Sequence, residues 1–357
     1  MRLTRNKTQD KNIDSLFVNW IIPLAFDNWF AKRFLFLVAV LIGCNNETPV
    51  ISIGVSVPQT TAPVYTLMKQ AMLEHEKEYG VKITWNGVLD KGPTQDDALT
   101  ERQGVQRMLE SKIQALILKS VDPKAAYPIL REARRWNVPV ISLDQMLPSM
   151  PVQGHVTVNE TLLGEKAAQY ALEQIGHKGN VLVLEAPVKI ESMREIAIGI
   201  HRILDQYEGK IQVISRTSAL DANAAFDVTG RMLKDYAGNI QAVIAADSTL
   251  ALGAVQGVQL HGLADKIVTV GVGAGEKACR QIILKQHDAE VDLMPYERGL
   301  EALNAAVSAL NEDDFSYDAQ LPNGEILTKT KFGPIRLITT ANHLLLERMW
   351  PRLFATN

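Results

Sequence analysis

Arg107-Met108-Leu109 leads into Ile113-Gln114-Ala115-Leu116-Ile117-Leu118, and the pattern returns downstream. There Arg231-Met232-Leu233 leads into Ile240-Gln241-Ala242-Val243-Ile244-Ala245. In both places the end of an amphipathic helix is followed by a short apolar run. Each run is too short for a helix and too evenly apolar for a half-exposed strand, so both read as buried parallel strands. Each then stops at a polar loop that opens another helix, Lys119-Ser120-Val121-Asp122-Pro123 in one copy and Ala246-Asp247-Ser248-Thr249 in the other. Two units of one design predict two similar α/β lobes. Ligands of open α/β sheets bind beyond the carboxyl ends of the strands. Two facing lobes would therefore enclose a cleft lined by those loops.

Working outward, 357 residues suit about two domains, and 46% hydrophobic with 22% charged residues suits a folded core. A net charge of −3 carries no sign of a nucleic-acid partner. Cys44 and Cys279 are too few for a cysteine-based zinc site. At the N-terminus Lys32-Arg33 precede the apolar run Phe34 to Ile42, then Gly43-Cys44. That is the build of a secretory signal, too short to span a bilayer as a mature helix. Leu41-Ile42-Gly43-Cys44 resembles the bacterial lipobox, whose cysteine becomes the lipidated first residue of the mature chain. Residues 1–44 then form a signal and lipobox segment, and Cys279 is left a lone thiol. The first 31 residues exceed a normal leader, so either the translation start lies downstream, near Lys32, or the leader is unusually long; the downstream start is the expectation. Removing residues 1–43 leaves 31 basic and 37 acidic residues, net −6, as suits an extracytoplasmic protein.

From Val50 onward strands and helices alternate. Strands are expected at 51–57, 81–85, 113–118, 138–143 and 155–158, then at 181–184, 211–215, 241–245, 267–271, 289–293 and 335–340. Helices are expected at 63–79, a stretch ending at Leu109, 124–136, 162–175, 192–207, 224–236, 249–261 and 296–310, with a last one at the C-terminus. The stretch from 311 to 334 reads as a polar loop. No long flexible linker divides the chain.

Several stretches together resemble the type 1 periplasmic (solute-) binding proteins, the ribose/galactose-type sugar-binding components of ATP-driven importers. They are Asn137-Val138-Pro139-Val140-Ile141-Ser142-Leu143-Asp144, Gly179-Asn180-Val181 with Arg194 and Gly199, Ala246-Asp247-Ser248-Thr249-Leu250-Ala251-Leu252-Gly253-Ala254, and Val270-Gly271. The resemblance implies two Rossmann-like lobes with parallel sheets joined by three hinge crossings. The N-terminal lobe would be 45–157, completed by about 294–330, and the C-terminal lobe 158–293, completed by about 334–357. It implies an extracytoplasmic, lipid-anchored binding protein, not an enzyme, without cofactor, metal or nucleic acid. The partners would be a sugar-like small molecule and the membrane permease of an ABC importer. A sensor that presents the same closed form to a membrane receptor kinase is the alternative.

Sugar sites combine carboxylates, amides and arginine for hydroxyl pairs with aromatic faces for the ring. By resemblance the ligand-binding candidates are Gln59, Thr60, Tyr65, Asp144, Gln145, Asn159, Arg194 and Asp247. Asp247 also fits a helix N-cap, Tyr65 also fits the core, and Trp85 reads as packing more than stacking. Lys119 and Asp122 follow the third strand. Gly273 and Leu293 stand where the family more often has polar residues, so a modified, partly apolar or anionic ligand is expected. An enzyme reading has one hook, the turn Gly271-Val272-Gly273-Ala274-Gly275, whose glycine spacing departs from a dinucleotide fingerprint. The seven histidines are scattered without catalytic or metal-ligand spacing. A transcription factor would need a DNA-binding headpiece where the lipobox stands.

Overall fold

Residues 50–355 are described by the computed structural model, except 91, 93, 95, 148, 149, 188 and 312–314. Cys44, the lipobox and the rest of the leader lie outside the described residues. The first half alternates β1 (Ile51–Val57), α1 (Pro63–Glu74), α2 (Glu76–Tyr79), β2 (Val81–Gly87), α3 (Asp97–Glu110), β3 (Ala115–Leu118), α4 (Tyr127–Arg135), β4 (Val140–Leu143) and β5 (Gly154–Thr157). The second half repeats the scheme with α5 (Glu160–Ile175), β6 (Gly179–Glu185), α6 (Glu191–Leu204), β7 (Ile211–Thr217), α7 (Ala222–Asp235), β8 (Ala242–Ala245), α8 (Ser248–Leu260), β9 (Val268–Val272), α9 (Glu276–Ile283) and β10 (Ala289–Asp292). After α10 (Pro295–Leu310) come β11 (Ala319–Asn323), β12 (Ile326–Phe332) and β13 (Arg336–Thr339).

Two sheets result. The seven-stranded one runs β11-β12-β5-β4-β3-β1-β2 and the six-stranded one β13-β10-β9-β8-β6-β7. Only β11 and β13 run antiparallel to their neighbours. In each sheet the first strand of the repeat lies between the second and third, which puts a switch in winding direction at β1/β3 and again at β6/β8. The repeated runs of the sequence are therefore the strands at the two switch points. Every residue of β3 and β8 is buried, as strands covered by helices on both faces must be.

The chain passes between the sheets three times: after β5, between β10 and α10, and between β12 and β13. Met294 marks the second passage in the left-handed region at φ 45°, and Pro295 then starts α10 where no donor is needed. α10 packs on α1 and on β3, β4 and β5, so it belongs with the seven-stranded sheet. α5 packs on α6 and on β8, β9 and β10. α5 and α6 approach so closely that a Cβ on Gly164 would sit 1.9 Å from the Ile196 carbonyl oxygen, and one on Gly199 2.0 Å from that of Thr161.

Several expected elements differ. The polar stretch 311–334 contains the β11–β12 hairpin, turned at Gly324 with φ 66°. Its buried positions include Thr328 and Thr330, so no aliphatic alternation announced it. α9 has no counterpart among the expected helices, although the glycine turn before it suits a strand-to-helix link. The helix from Pro63 breaks at His75. The C-terminal helix is replaced by two 3-10 turns, His343–Leu346 and Pro351–Leu353. Pro351 disfavours helical backbone at Trp350 before it, and Trp350 instead donates to the Ala274 carbonyl oxygen at 2.8 Å. Cys279 is a buried free thiol, and burial pushes its ionisation up. No described helix is long and apolar enough to cross a membrane.

Candidate functional site

A cavity of about 340 Å³ opens where the carboxyl ends of both sheets meet. Lys119 follows β3, Asp144 follows β4 and Thr157 ends β5, with Val64 and Arg298 from α1 and α10. Opposite stand Glu160, Met193, Asp247 and Gly273, from the starts of α5 and α6 and the ends of β8 and β9.

Asp144 is aimed by its backbone. It occupies the left-handed region at φ 60°, which aspartate tolerates better than most residues. Its N–H donates to the Val156 carbonyl at 2.8 Å, and its own carbonyl accepts from Thr157 Oγ1 at 3.1 Å. Arg298 Nε lies 3.1 Å from Asp144 Oδ1, and the Arg298 side chain is 3% exposed. Yet the two atoms are misaligned for a hydrogen bond, and both are buried without any hydrogen-bond partner. The pair is an ion contact with its directional bonding capacity unused. Arg298 also sits in the first turn of α10, where the helix dipole opposes a cation, so Asp144 is the charge that keeps it there. Gly333 leaves room for its stem: a Cβ there would come within 3.2 Å of Arg298 Cβ and Cγ.

Lys119 Nζ donates to Gln145 Oε1 at 2.7 Å. Burial pulls its ammonium down, against the opposing pull of Asp144 and Glu101. The Lys119 loop is held from below by Glu101, which is buried and accepts from Ser120 Oγ and from Val121 N–H at 3.0 Å. Burial pushes the Glu101 carboxyl up. Beside this loop His155 is buried with Nδ1 2.9 Å from Ser142 Oγ, and burial pulls it down to about 4.

On the other wall Asp247 caps α8, accepting from Thr249 N–H at 2.6 Å, while burial raises its carboxyl. Burial likewise raises Glu160. The turn at 273–275 rests on Glu290, whose Oε2 accepts from Ala274 N–H at 2.9 Å and from Ser248 Oγ at 2.6 Å. A Cβ on Gly271 would meet Glu290 Oε1 at 2.0 Å. The glycines thus make room for a buried glutamate, which accounts for the turn without a dinucleotide.

Of the residues expected from sequence, Asp144 and Asp247 line the cavity. Tyr65 is buried in the core under it, close enough to feel both Asp144 and Arg298, and burial raises its hydroxyl. Gln145 is exposed and reaches the site only through Lys119. Gln59 is exposed, and Thr60 N–H is tied to Asp90 Oδ1 at 2.7 Å, away from the lining. Asn159 caps α5, accepting from Leu162 N–H at 3.1 Å. Arg194 lies just past the lining residues Ser192 and Met193, but its side chain is 47% exposed and pairs with Glu195 at 3.2 Å and Glu191 at 3.6 Å. Arg298, Glu160 and Thr157 were missed. A cation in the first turn after Pro295 was the legible signal for Arg298. Trp85 packs on the core of the seven-stranded lobe. Among the described residues no group of His, Cys, Asp and Glu could hold a metal ion.

A family model described as a periplasmic binding protein domain matches residues 53–314. The ribose import binding protein of Bacillus subtilis (strain 168) is 26% identical over 289 residues, 81% of this chain and 87% of that protein. A solute-binding protein of an ABC transporter from Actinobacillus succinogenes 130z, solved with bound D-allose, has a TM-score of 0.65 at 20% identity, covering 82% of this chain and 99% of its own. One from Bacillus halodurans C-125, solved with bound myo-inositol, has a TM-score of 0.63 at 19% identity, covering 85% and 99%. Two sheets wound alike, three passages between them and a cavity at the carboxyl ends of both agree with that match, and the chain belongs to the periplasmic binding protein family, whose members bind solutes rather than transform them.

Proposed function

We propose that this protein captures a sugar or a sugar-like polyol between its lobes and delivers it to the permease of an ABC importer. The observation that carries the reading is the Asp144–Arg298 contact. A hydroxyl group is donor and acceptor at once. It can donate to the exposed part of the Asp144 carboxylate, while Arg298 holds that carboxylate in place from the buried side. Lys119 and Asp247 supply further polar contacts, and Arg194, next to the lining residue Met193, is the expected residue at the mouth of the cavity. The sugar import relative and the sugar- and inositol-bound neighbours support the ligand class.

Calorimetry against pentoses, hexoses and polyols is the test. Truncating one member of a buried, hydrogen-bonded charge pair costs about 2–5 kcal/mol of affinity. Asp144→Ala and Arg298→Ala should each weaken the best ligand at least about thirtyfold, more than Arg194→Ala does. Unchanged binding in both variants would put the ligand elsewhere, and conversion of the ligand to a product would overturn the reading altogether.

In the same reading the protein works outside the cytoplasm, held to a membrane by a lipid on Cys44. Metabolic labelling with a fatty-acid analogue should mark the wild type and not Cys44→Ala. Equal labelling of both contradicts the anchor.

A further inference from the structure

We propose that the ligand carries an apolar end, as a deoxy sugar does, and that the wall of the six-stranded lobe selects for it. The inference rests on the polyol reading above and adds which polyols are preferred. The two walls of the cavity differ in chemistry. Lys119, Asp144, Thr157 and Arg298 make the wall of the seven-stranded lobe polar. The facing wall joins an aliphatic patch, Leu163, Met193, Ile196, Val272 and Leu293, to the polar Glu160, Ser192 and Asp247. Its two carboxyl groups are both tied to helix starts. Asp247 accepts from Thr249 N–H, and Glu160 is the first residue of α5, where the helix N-terminus favours a carboxylate. Among the described lining residues none is aromatic. What this wall offers is room for a methyl or alkyl group.

A hydroxyl directed at such a surface loses its water and finds no partner, whereas a methyl group gains burial. The polar wall fixes the orientation, because it carries the Asp144–Arg298 pair and Lys119. Selection therefore falls on the opposite end of the ligand. An apolar pocket separates such isosteric pairs by about 10- to 200-fold.

Isothermal titration calorimetry with matched hexoses reads this directly: D-galactose against D-fucose, L-mannose against L-rhamnose, and D-glucose against D-quinovose, with D-ribose and myo-inositol alongside. In a pair that binds, the deoxy member should bind at least about tenfold tighter. Met193→Gln and Leu293→Gln, both near-isosteric and at partly exposed positions, should each bring that ratio down severalfold. A ratio unchanged in both variants overturns the assignment to this wall. Equal or weaker binding of the deoxy members, or binding confined to ribose or inositol, overturns the apolar preference and leaves the polyol reading standing. Binding of no polyol at all overturns both.

Discussion

His155 shows how single residues in this site trade stability for position. It is 3% exposed, faces Ser142, Asp144 and Lys119, and is held neutral by burial with its ionisation near 4. In the unfolded chain it titrates near its ordinary value of about 6.5. Between those values the unfolded state binds more protons, so stability is complete above about pH 6.5 and falls as the pH drops toward 4. A shift of that size corresponds to about 3 kcal/mol. Burial raises Glu101, Glu160, Asp247 and Asp292, which push the other way in the acid range. The comparison must therefore be between proteins differing only at His155. Urea midpoints measured at pH 7 and pH 4.5 should fall less for His155→Gln than for the wild type, and equal falls in the two contradict the assignment. At this scale the sequence was only partly legible. Asp144 and Asp247, expected from the resemblance as polar residues just after strands, line the cavity. Arg298 was not expected, since its partner lies more than 150 positions away and its one local signal, a cation in the first turn after Pro295, does not name that partner. Arg194 and Asn159 stand outside the lining for the converse reason: a helix start uses polar side chains for its own caps and pairs.

At the scale of elements, the molecule depends on helices that meet through small residues. Gly164 on α5 and Gly199 on α6 face each other's backbones, and neither has space for a methyl group. Alanine is the better helix former, so propensity alone predicts that Gly199→Ala stabilises. The close approach reverses the sign, because overpacking of this kind costs about 1–3 kcal/mol. Gly199→Ala should lower the melting temperature by several degrees in calorimetry, and an unchanged or raised midpoint contradicts the packing. Elements with fully apolar strands or capped helices were readable from sequence. The β11–β12 hairpin was not, because it buries threonines rather than aliphatic residues. α9 hid behind the glycine turn that admits Glu290.

At the scale of the whole molecule, the repeat decided the architecture before any contact was known. β3 and β8 occupy equivalent switch points, and the loops after them carry Lys119 and Asp247 to opposite walls of one cavity. A ligand touching both walls favours whichever arrangement brings them together, by its differential affinity for that state. Three short passages, one through the left-handed Met294, leave hinges as the motion available. A polyol held between the lobes should thus close them, and small-angle X-ray scattering of the protein with and without a saturating polyol reads that closure. The bound protein should have a smaller radius of gyration, and the change should be lost in Arg298→Ala at a concentration that saturates the wild type. A polyol that raises the melting temperature of the wild type yet leaves its radius of gyration unchanged would contradict closure.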